Sequence, residues 1–443
     1  MSREDLILSI AEGKLSIDCI DLELIQCIDD SPVEIHGSGF ITQTNEKHIE
    51  FKLLFKGKDT NIHDQLSFLS NAEPGSIVPK HHYFNLRGKD NLGKEWFAFE
   101  IYINTNIHIS FNTAVITGEI DRLFHKRKYD GEDTDKHSLF IVSGNYNLPW
   151  NEYRTIGNHN TLSELNLKIS GIQLNIYQEE NLLNVHLIVD ESSDLQAYKN
   201  SIIQALSIMT GVKLPILYEL DRENNKIQTQ INSFRFYIDG KLDAPIKIWM
   251  PFDIHKFSNF LETYLNFSLN NNSSRLFGFW HRIFCVSKSL LESSALASSV
   301  AVEGMVKKYF CGYFPVSADE IHTIENATKT IKGLTLDKDI QSKLLSSLNN
   351  FKTKSPKTVL NQICHDNNID PNLIKTWSAL RNKSAHSDDN NMSQSQFDKF
   401  YHDYKSILFL FYQLIFLTIG YKEKFLDYSQ IGCPEKKFHS GVD

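Results

Sequence analysis

The chain has little of what marks a specialised class of protein. Its 443 residues include 6 Cys, 5 Met, 5 Trp and 11 Pro, and hydrophobic residues make up 41%. This composition excludes a disulfide-stapled mini-protein, a collagen-like repeat and a chain that is disordered throughout. What remains is a globular composition, with enough length for two to four domains at roughly 100–200 residues each.

Cysteine is scarce, and its spacing carries no motif. No two cysteines form a C-x2-C pair, so the sequence shows neither a zinc site nor a disulfide framework. We expect reduced, mostly buried thiols in a cytoplasmic protein, because the first residues also lack the basic region and the apolar core of a secretory signal. The cysteines are Cys19, Cys27, Cys285, Cys311, Cys364 and Cys433.

Several enzyme motifs are also missing. The sequence contains no G-x-G-x-x-G, no G-x4-G-K-[ST], no H-E-x-x-H and no G-x-S-x-G. These absences remove the usual sequence evidence for dinucleotide oxidoreductases, P-loop NTPases, zinc proteases and α/β-hydrolases. We therefore predict no cofactor and no bound metal.

The longest hydrophobic run, residues 407–419, is too short to cross a membrane. Gln413 and Thr418 interrupt it, and a transmembrane helix needs roughly 18–20 apolar residues. A buried core helix is the favoured interpretation, and no membrane partner is expected.

Charge is unevenly distributed along the chain. The formal net charge is −8, which argues against a protein that coats nucleic acid without specificity. Residues 271–443 hold 21 basic and 17 acidic side chains, whereas residues 1–270 hold 25 basic and 37 acidic ones. Only the C-terminal part is expected to attract a polyanion.

The hydrophobic pattern predicts an α+β protein with a β-rich first half. Runs of β-branched and aromatic residues, several of them alternating with period two, predict antiparallel strands in a sandwich or barrel over residues 1–220. A helical face between Asp194 and Gly211 closes this domain. The predicted strands cover residues 33–41, 48–56, 95–103, 107–116, 172–177 and 182–189.

The rest of the chain is predicted to be helical after a mixed connecting segment. Residues 221–270 form that segment, with a candidate strand at residues 233–238, and residues 271–443 form an all-α domain. Its helices are predicted at residues 276–310 and 319–332, after the start signal of Asp370 and Pro371, and from the capping box of Ser393 and Gln396 to Gly420.

Two small clusters favour ordinary structural roles. His81 and His82 are adjacent, and adjacent residues of a strand face opposite sides, so a shared ligand role is not expected. The basic run at residues 125–128 could contact phosphates, but a solvated turn after a strand is the favoured interpretation.

One constellation is distinctive. The helix that begins at Asp370 is followed by the run Arg-Asn-Lys-Ser-Ala-His at residues 381–386. Positions five apart on a continuous helix diverge by about 140°, so only a break near Ser384 or Ala385 would let Arg381 and His386 face one cleft. A guanidinium binds phosphate oxygens as a fork, and an imidazole titrates near neutral pH. Together they suit metal-free cleavage of RNA.

This run, preceded by a tryptophan-bearing helix in a C-terminal helical domain, is similar to the Arg-x(4–6)-His motif of HEPN domains, many of which are ribonucleases of bacterial defence and toxin systems. Asn382 also fits the active form of that motif. Glu303 and Lys307 resemble a Glu-x3-Lys element on another helix of some HEPN domains. The β-rich half, the helix ending at Gly211 and the helical domain together resemble the ApeA-like anti-phage proteins.

The resemblance implies an RNA endonuclease of an abortive-infection system that needs neither a metal nor a cofactor. The ribose 2′-hydroxyl would attack the adjacent phosphate and leave a 2′,3′-cyclic phosphate. A homodimer or higher homo-oligomer would complete the active site, and the N-terminal domain would bind a phage-derived trigger.

The resemblance also assigns roles to individual residues. His386 would act as general base or acid, and Arg381 would bind the phosphate and stabilise its charge in the transition state. Asn382 would orient one of these groups or the substrate, and Lys383 would contact RNA. Glu303 and Lys307 would support the site.

Other interpretations of the same residues stay open at this point. His386 may be read as a cap of the preceding helix, Arg381 as a surface salt-bridge partner of the aspartates that follow, and Trp377 as core packing. Glu303 and Lys307 also have the spacing of an ordinary helical ion pair. At the level of function, the alternatives are a non-catalytic HEPN-type nucleic-acid-binding or scaffold protein, and a carbohydrate- or protein-binding β-sandwich with a helical assembly domain.

Overall fold

The computed structural model describes residues 3–44, 46–56, 66, 76–104, 108–110, 113–156, 159–234, 238–271, 274–385 and 393–438. The chain divides into two compact units. The first, called the sheet unit, comprises Met1–Lys199 and Leu214–Ile238. The second, called the helical unit, comprises Asn200–Lys213 and Asp239–Asp443. The predicted α+β class, with an antiparallel N-terminal half and a helical C-terminal half, is confirmed.

The sheet unit begins with helix α1 (Arg3–Ala11) and continues as one antiparallel sheet. The fifteen strands of that sheet follow the spatial order β10-β11-β12-β13-β9-β14-β15-β8-β5-β4-β1-β2-β3-β7-β6. They are β1 (Ser16–Gln26), β2 (Glu34–Gln43), β3 (Ile49–Lys56), β4 (Tyr83–Asp90), β5 (Glu95–Tyr102), β6 (His108–Ser110), β7 (Thr113–Ile120), β8 (Arg122–Lys128), β9 (Lys136–Ser143), β10 (Glu152–Ile156), β11 (His159–Ile169), β12 (Ile172–Glu179), β13 (Leu182–Val189), β14 (Ile216–Glu223) and β15 (Lys226–Asn232).

Alternation of apolar and polar residues builds this sheet. In β3, the side chains of Ile49, Phe51 and Leu53 are buried, whereas those of Glu50 and Lys52 point to solvent. One face of each such strand therefore enters a core while the other stays hydrated, as period-two alternation predicts.

The predicted strands agree with the structure with one exception. Strands β2, β3, β5, β12 and β13 lie where they were expected, and the run at residues 107–116 covers β6 and the first part of β7. The candidate strand at residues 233–238 is wrong, because the last strand ends at Asn232 and neither Ser233 nor Ile238 is in a strand. Residues 235–237 lie outside the described part of the chain.

The two small clusters also differ from expectation. His81 and His82 lie in a 3₁₀ turn, Lys80–His82, and not on a strand, with ring centroids 4.5 Å apart. The basic run at residues 125–128 is not a turn but the end of β8, paired along its length with β15. Its charges are compatible with a strand because Lys126, Arg127 and Lys128 are exposed.

The division of the chain into units differs from the three segments expected at residues 1–220, 221–270 and 271–443. Strand β14 crosses residue 220, and β15 joins the sheet unit through its pairing with β14 and β8. Helix α2 (Leu195–Thr210) confirms the helix expected between Asp194 and Gly211, and the division between the units falls within it, after Lys199.

In the described residues, the helical unit contains eight further helices and a small C-terminal hairpin. The helices are α3 (Ile254–Asn270), α4 (Ser274–Cys285), α5 (Leu291–Met305), α6 (Ala318–Gly333), α7 (Lys338–Asn350), α8 (Pro356–Asp366), α9 (Asn372–Ala385) and α10 (Gln394–Ile419), and the hairpin pairs β16 (Phe425–Leu426) with β17 (Glu435–Lys436). Short 3₁₀ turns occur at Pro251–Asp253 and Cys311–Tyr313, and a π-helical turn spans Val306–Phe310.

The continuous helix expected at residues 276–310 is wrong. The structure breaks it into α4 and α5, and the polar residues Ser287, Lys288 and Ser289 occupy the break. The hydroxyl of Ser294 donates a hydrogen bond to the carbonyl of Val286 at 2.8 Å, which satisfies a backbone group near the end of α4.

Local capping signals gave the other helix ends correctly. Ser393 and Gln396 form the expected capping box at the start of α10, and Gly420 ends that helix with φ +78°. Helix α6 matches the expected helix at residues 319–332. The carboxylate of Asp370 accepts a hydrogen bond from the amide of Asn372 at 2.8 Å, as a helix start requires.

The long hydrophobic run lies inside the helical unit. Residues 407–416 of α10 are all buried, which confirms the core-helix interpretation. Across the described ranges, none of the helices combines the length and the apolar character that a bilayer crossing requires. All six cysteines are free thiols, but only Cys19 and Cys364 are buried and the other four are partly exposed, so the expectation of mostly buried thiols is wrong.

A glycine at the end of α2 is required by its surroundings. Gly211 has φ +71°, and a Cβ atom placed on it would lie 2.1 Å from the carbonyl oxygen of Leu242. The amide of Leu242 donates to the Gly211 carbonyl at 2.8 Å, so the two backbones are held close together. Gly171, in the turn between β11 and β12, has a similar φ of +79° but nothing within 4 Å of such a Cβ atom.

We expect Gly211→Ala to lower the free energy of unfolding by about 2–4 kcal/mol, since it adds a backbone clash to left-handed strain. Gly171→Ala should cost only about 1 kcal/mol, because it adds the strain alone. Urea denaturation followed by circular dichroism measures both variants. Equal midpoints for the two alanine variants would contradict the close approach at Gly211.

Candidate active site in the helical unit

Helix α5 carries small residues on the face that meets its neighbours. It packs against α9 and α10, and Ser294, Ala295, Ser298, Ser299 and Ala301 are all buried. The hydroxyls of Ser298 and Ser299 each donate to the carbonyl one turn earlier, at 2.8 Å, so their burial leaves no donor without a partner. Small side chains therefore let α9 approach α5 closely.

Trp377 fixes α9 on α5. Its indole is buried, with 3% of its surface exposed, and its Nε1–H donates to the backbone carbonyl of Ser299 at 3.0 Å. The two residues are 78 positions apart in the chain. The expectation that Trp377 is core packing is confirmed, and the hydrogen bond gives that packing a defined register.

One helical turn further along, the predicted site residues meet. A guanidinium nitrogen of Arg381 lies 2.7 Å from Oε2 of Glu303, and Nζ of Lys307 lies 2.7 Å from Oε1 of the same carboxylate. The side chain of Glu303 is 16% exposed, whereas those of Arg381 and Lys307 are 46% and 60% exposed. The carboxylate is thus enclosed, and the two cations that hold it face solvent.

The two contacts share one register. Ser299 and Glu303 are four residues apart on α5, and Trp377 and Arg381 are four residues apart on α9. Residues four apart lie on the same helix face, one turn from each other. The bond from Trp377 therefore determines where Arg381 meets Glu303.

The segment that carries Lys307 departs from α-helical geometry. Residues Val306–Phe310 form a π-helical turn directly after α5. Just before it, Gly304 lets the ring of Phe279 approach closely, since a Cβ atom on that glycine would lie 2.3 Å from the ring. Lys307, the second residue of this turn, still pairs with Glu303 four residues earlier, as in a regular α-helix.

The charge of Lys307 also reaches the next turn. Burial raises the pKa of the Cys311 thiol, and the positive charge of Lys307 opposes that rise. Cys311 therefore stays protonated near neutral pH and offers no thiolate to the site.

The structure accounts for part of the predicted set. Arg381, Glu303 and Lys307 come together, and Asn382 is exposed on α9 next to Arg381. Helix α9 continues through Ala385, so Lys383 is helical, and its side chain lies outside the described residues. His386 and the aspartates that follow it also lie outside the described residues, and a shared cleft for Arg381 and His386 stays a prediction.

The contacts of Glu303 and Lys307 fit both interpretations of these residues, as a helical ion pair and as part of the candidate site. Their ion pair is the ordinary i, i+4 pair of a helix, and it also forms half of a three-residue network with Arg381. The network carries a net charge of +1. Arg381 retains guanidinium N–H groups at a half-exposed position, so the network can bind an anion such as a phosphodiester.

Elsewhere, the described residues contain one group with the spacing of a metal site. Glu23, Glu34 and His36 cluster on strands β1 and β2 of the sheet unit, largely exposed and without an ion. Exposed acidic groups of this kind are common without a metal ion.

Comparison with known proteins leaves the site to be judged on its geometry. Neither the protein-family models, nor the curated proteins, nor the solved structures compared with this chain gave a match.

The bond between Trp377 and Ser299 can be tested by its contribution to stability. We expect Trp377→Phe to lower the free energy of unfolding by about 1–3 kcal/mol, because it removes a buried hydrogen bond and part of the ring volume. Trp249→Phe is the matched control, since Trp249 is 46% exposed, and it should change stability by less than about 0.5 kcal/mol. Chemical denaturation measures the free energy of unfolding of both variants. An equal loss of stability in Trp377→Phe and Trp249→Phe would contradict the role given to Trp377.

Proposed function

We propose that this chain is a metal-independent RNA endonuclease of a bacterial anti-phage system of the abortive-infection type. Arg381 and His386 would form its catalytic pair, and dimerisation would complete the active site. The resemblance of the run at residues 381–386 to the HEPN motif motivates the proposal. The ion pair between Arg381 and Glu303 is the structural observation that carries it.

This ion pair supports the proposal because it orients a solvent-facing guanidinium. A free surface arginine samples many rotamers, whereas Arg381 is held by a carboxylate that is itself enclosed and anchored by Lys307. A guanidinium held in advance stabilises developing negative charge without reorganising during the reaction. The excess of basic residues in the C-terminal part favours binding of a polyanion to the same unit.

The reaction is a transesterification followed by product release. The 2′-oxygen of a ribose attacks the adjacent phosphorus while His386 accepts the 2′-hydroxyl proton, and Arg381 stabilises the pentacovalent phosphorane. The bond from phosphorus to the 5′-oxygen then breaks, and that oxygen takes the proton from the imidazolium of His386, which returns to its neutral form. The products are a 2′,3′-cyclic phosphate and a 5′-hydroxyl end. Asn382 is proposed to orient these groups, and Lys383 to contact the RNA backbone.

The two units suggest a division of labour. The acidic first half is proposed to sense a phage-derived trigger, and the helical unit to cut RNA once the trigger is bound. Cytoplasmic location follows from RNA as the substrate.

A second candidate function is binding of nucleic acid without cleavage. The network supports this binding function because Lys307 and Arg381, held by Glu303, can contact a phosphate without any proton transfer. Only the nuclease would produce RNA ends with a 2′,3′-cyclic phosphate, so these ends distinguish the two functions.

We expect Arg381→Ala and His386→Ala each to reduce RNA cleavage by about 10²- to 10⁴-fold, since each removes one catalytic contribution. The measurement is sequencing of RNA ends from bacteria that express each variant, challenged with a panel of phages and selected for 2′,3′-cyclic phosphates. Lys375→Ala, an exposed position on the same helix, serves as control and should behave as wild type. Phage protection by the wild type without any Arg381-dependent cyclic-phosphate ends would refute the nuclease and favour the binding function.

Glu303 is proposed to be a positioning residue. Glu303→Gln should lower cleavage by about 10- to 100-fold, because an amide oxygen no longer holds both cations in place. Affinity for RNA, measured in the His386→Ala background so that no cutting occurs, should stay equal or increase, because the site gains one positive charge.

Opposite signs for cleavage and affinity distinguish positioning from a structural role. If Glu303 had only a structural role, Glu303→Gln would lower RNA cleavage, RNA affinity and the thermal midpoint together. Glu325→Gln, at an exposed position of α6, is the matched control and should leave cleavage, affinity and midpoint unchanged.

A further inference from the structure

The side-chain oxygen of a buried glutamine on α10 lacks a partner among the described residues. Gln413 is only 6% exposed and stands in a run of ten consecutive buried residues, 407–416. Its side-chain oxygen makes no hydrogen bond to any described residue. Buried polar groups in folded proteins are nearly always hydrogen-bonded, so an amide without a partner needs an explanation.

Gln413 borders a large cleft that lies entirely within the helical unit. The cleft has a volume of about 1450 Å³ and is enclosed by the end of α8, the start of α9, the second half of α10 and the C-terminal hairpin. That volume exceeds the 300–1,000 Å³ of typical small-molecule pockets, so a ligand with several chemical parts fits it.

Aromatic rings form one wall of the cleft. The ring of Phe425 packs on Phe416 at 5.1 Å and on Phe438 at 4.9 Å between centroids, and Phe409 lies 6.0 Å from Phe425. Phe438 is the partly exposed member of this cluster. Phe409, Phe416 and Phe425 are themselves buried, so Phe438 is the ring that this cluster presents to the cleft.

Lysines line the open side. Lys422 and Lys437 are exposed residues of the cleft, and Nζ of Lys437 makes a long ion pair with Oε2 of Glu423 at 4.0 Å. The acidic residues of the cleft are engaged within the protein. Glu435 pairs with Lys256, Asp370 accepts the amide of Asn372, and Asp366 lies 3.1 Å from His365.

We propose that this cleft binds a nucleotide. The partly exposed ring of Phe438 offers stacking to a base, the carboxamide of Gln413 offers one donor and one acceptor to the edge of that base, and the lysines at the mouth offer charge to the phosphate. Adenine matches the carboxamide best, because its N6 donates and its N7 accepts in the geometry of a primary amide. The nucleotide is either free or one unit of an RNA strand, since both present the same chemistry.

This site is separate from the residues proposed to cut RNA. Arg381, Glu303 and Lys307 do not line the cleft, and Gln413 makes no contact with them. The proposal therefore does not rest on the nuclease function, and Arg381→Ala should bind nucleotide as wild type does.

The test is isothermal titration calorimetry of the full chain with AMP, CMP, adenosine and inorganic phosphate, and with a ten-nucleotide oligo(A). We expect AMP to bind, and Gln413→Leu to weaken that binding at least about tenfold, the effect of one lost base contact. The thermal midpoint of Gln413→Leu should stay unchanged or rise, because leucine replaces an amide without a partner by an apolar side chain.

A second test uses exposed residues of the cleft, so that the core is not changed. Lys422→Ala with Lys437→Ala should weaken AMP binding to the level of adenosine, whereas Lys343→Ala, an exposed residue of α7, should leave it unchanged. Tighter binding of oligo(A) than of AMP identifies an RNA strand as the source, and equal binding identifies a free nucleotide.

Two results would overturn the proposal. One is the absence of binding for AMP, CMP and oligo(A) at concentrations up to about 1 mM, the weak end of specific affinities. The other is a Gln413→Leu variant that binds AMP as tightly as wild type, because the amide would then have no part in recognition.

Discussion

The hydrogen bond from the indole of Trp377 to the carbonyl of Ser299 determines the arrangement of the candidate active site. It joins two helices that are far apart in sequence, and it does so through a planar ring with only two rotatable bonds. A buried N–H that must find an acceptor tolerates few alternative registers, because each of them would leave the donor without a partner. The position of Arg381, one turn along α9, follows from that constraint.

The composition of α5 makes the constraint possible. Larger side chains at Ser294, Ser298 or Ser299 would separate α5 from its neighbours, and the indole would no longer reach the backbone. Serine is suited to such a helix face because its hydroxyl can bond to the preceding turn of its own helix. The same close packing encloses Glu303, and an enclosed carboxylate attracts its cations more strongly than a fully solvated one does.

Local signals allowed much of the fold to be predicted from the sequence. The capping box at Ser393, the left-handed glycine at position 420 and the alternation in β3 are each encoded within a few residues. Strand β1 was missed for an equally local reason. Its register shifts between Cys19 and Leu22, so the buried positions change parity along the strand and the period-two pattern is interrupted. The basic end of β8 was read as a turn because its charged residues face solvent and conceal the strand.

The resemblance nominated Glu303, Lys307 and Arg381, and the structure brings these three together. Nothing within a few residues of Arg381 shows that its partner is Glu303 and not an aspartate of the following run. That pairing depends on the approach of α5 and α9, which depends in turn on small residues nearly eighty positions upstream of Trp377. A tryptophan on a helix, matched to a helix with a serine-rich face, was the one signal in the sequence that pointed to this contact. Its meaning depends on tertiary structure, because either helix alone would be an ordinary amphipathic segment.

The position of the cleft relative to α9 shows how one helix can serve two surfaces. Asp370 and Leu373, at its start, line the cleft beside Gln413, and Arg381 lies near its other end. Eight residues of α-helix separate Leu373 from Arg381, a rise of roughly 12 Å. Trp377 holds the helix between these two ends, so neither end can shift along α5 without breaking a buried hydrogen bond. A rigid helix fixed at its middle keeps both surfaces in place independently, and for that reason a ligand at one end and an anion at the other can be measured as separate events.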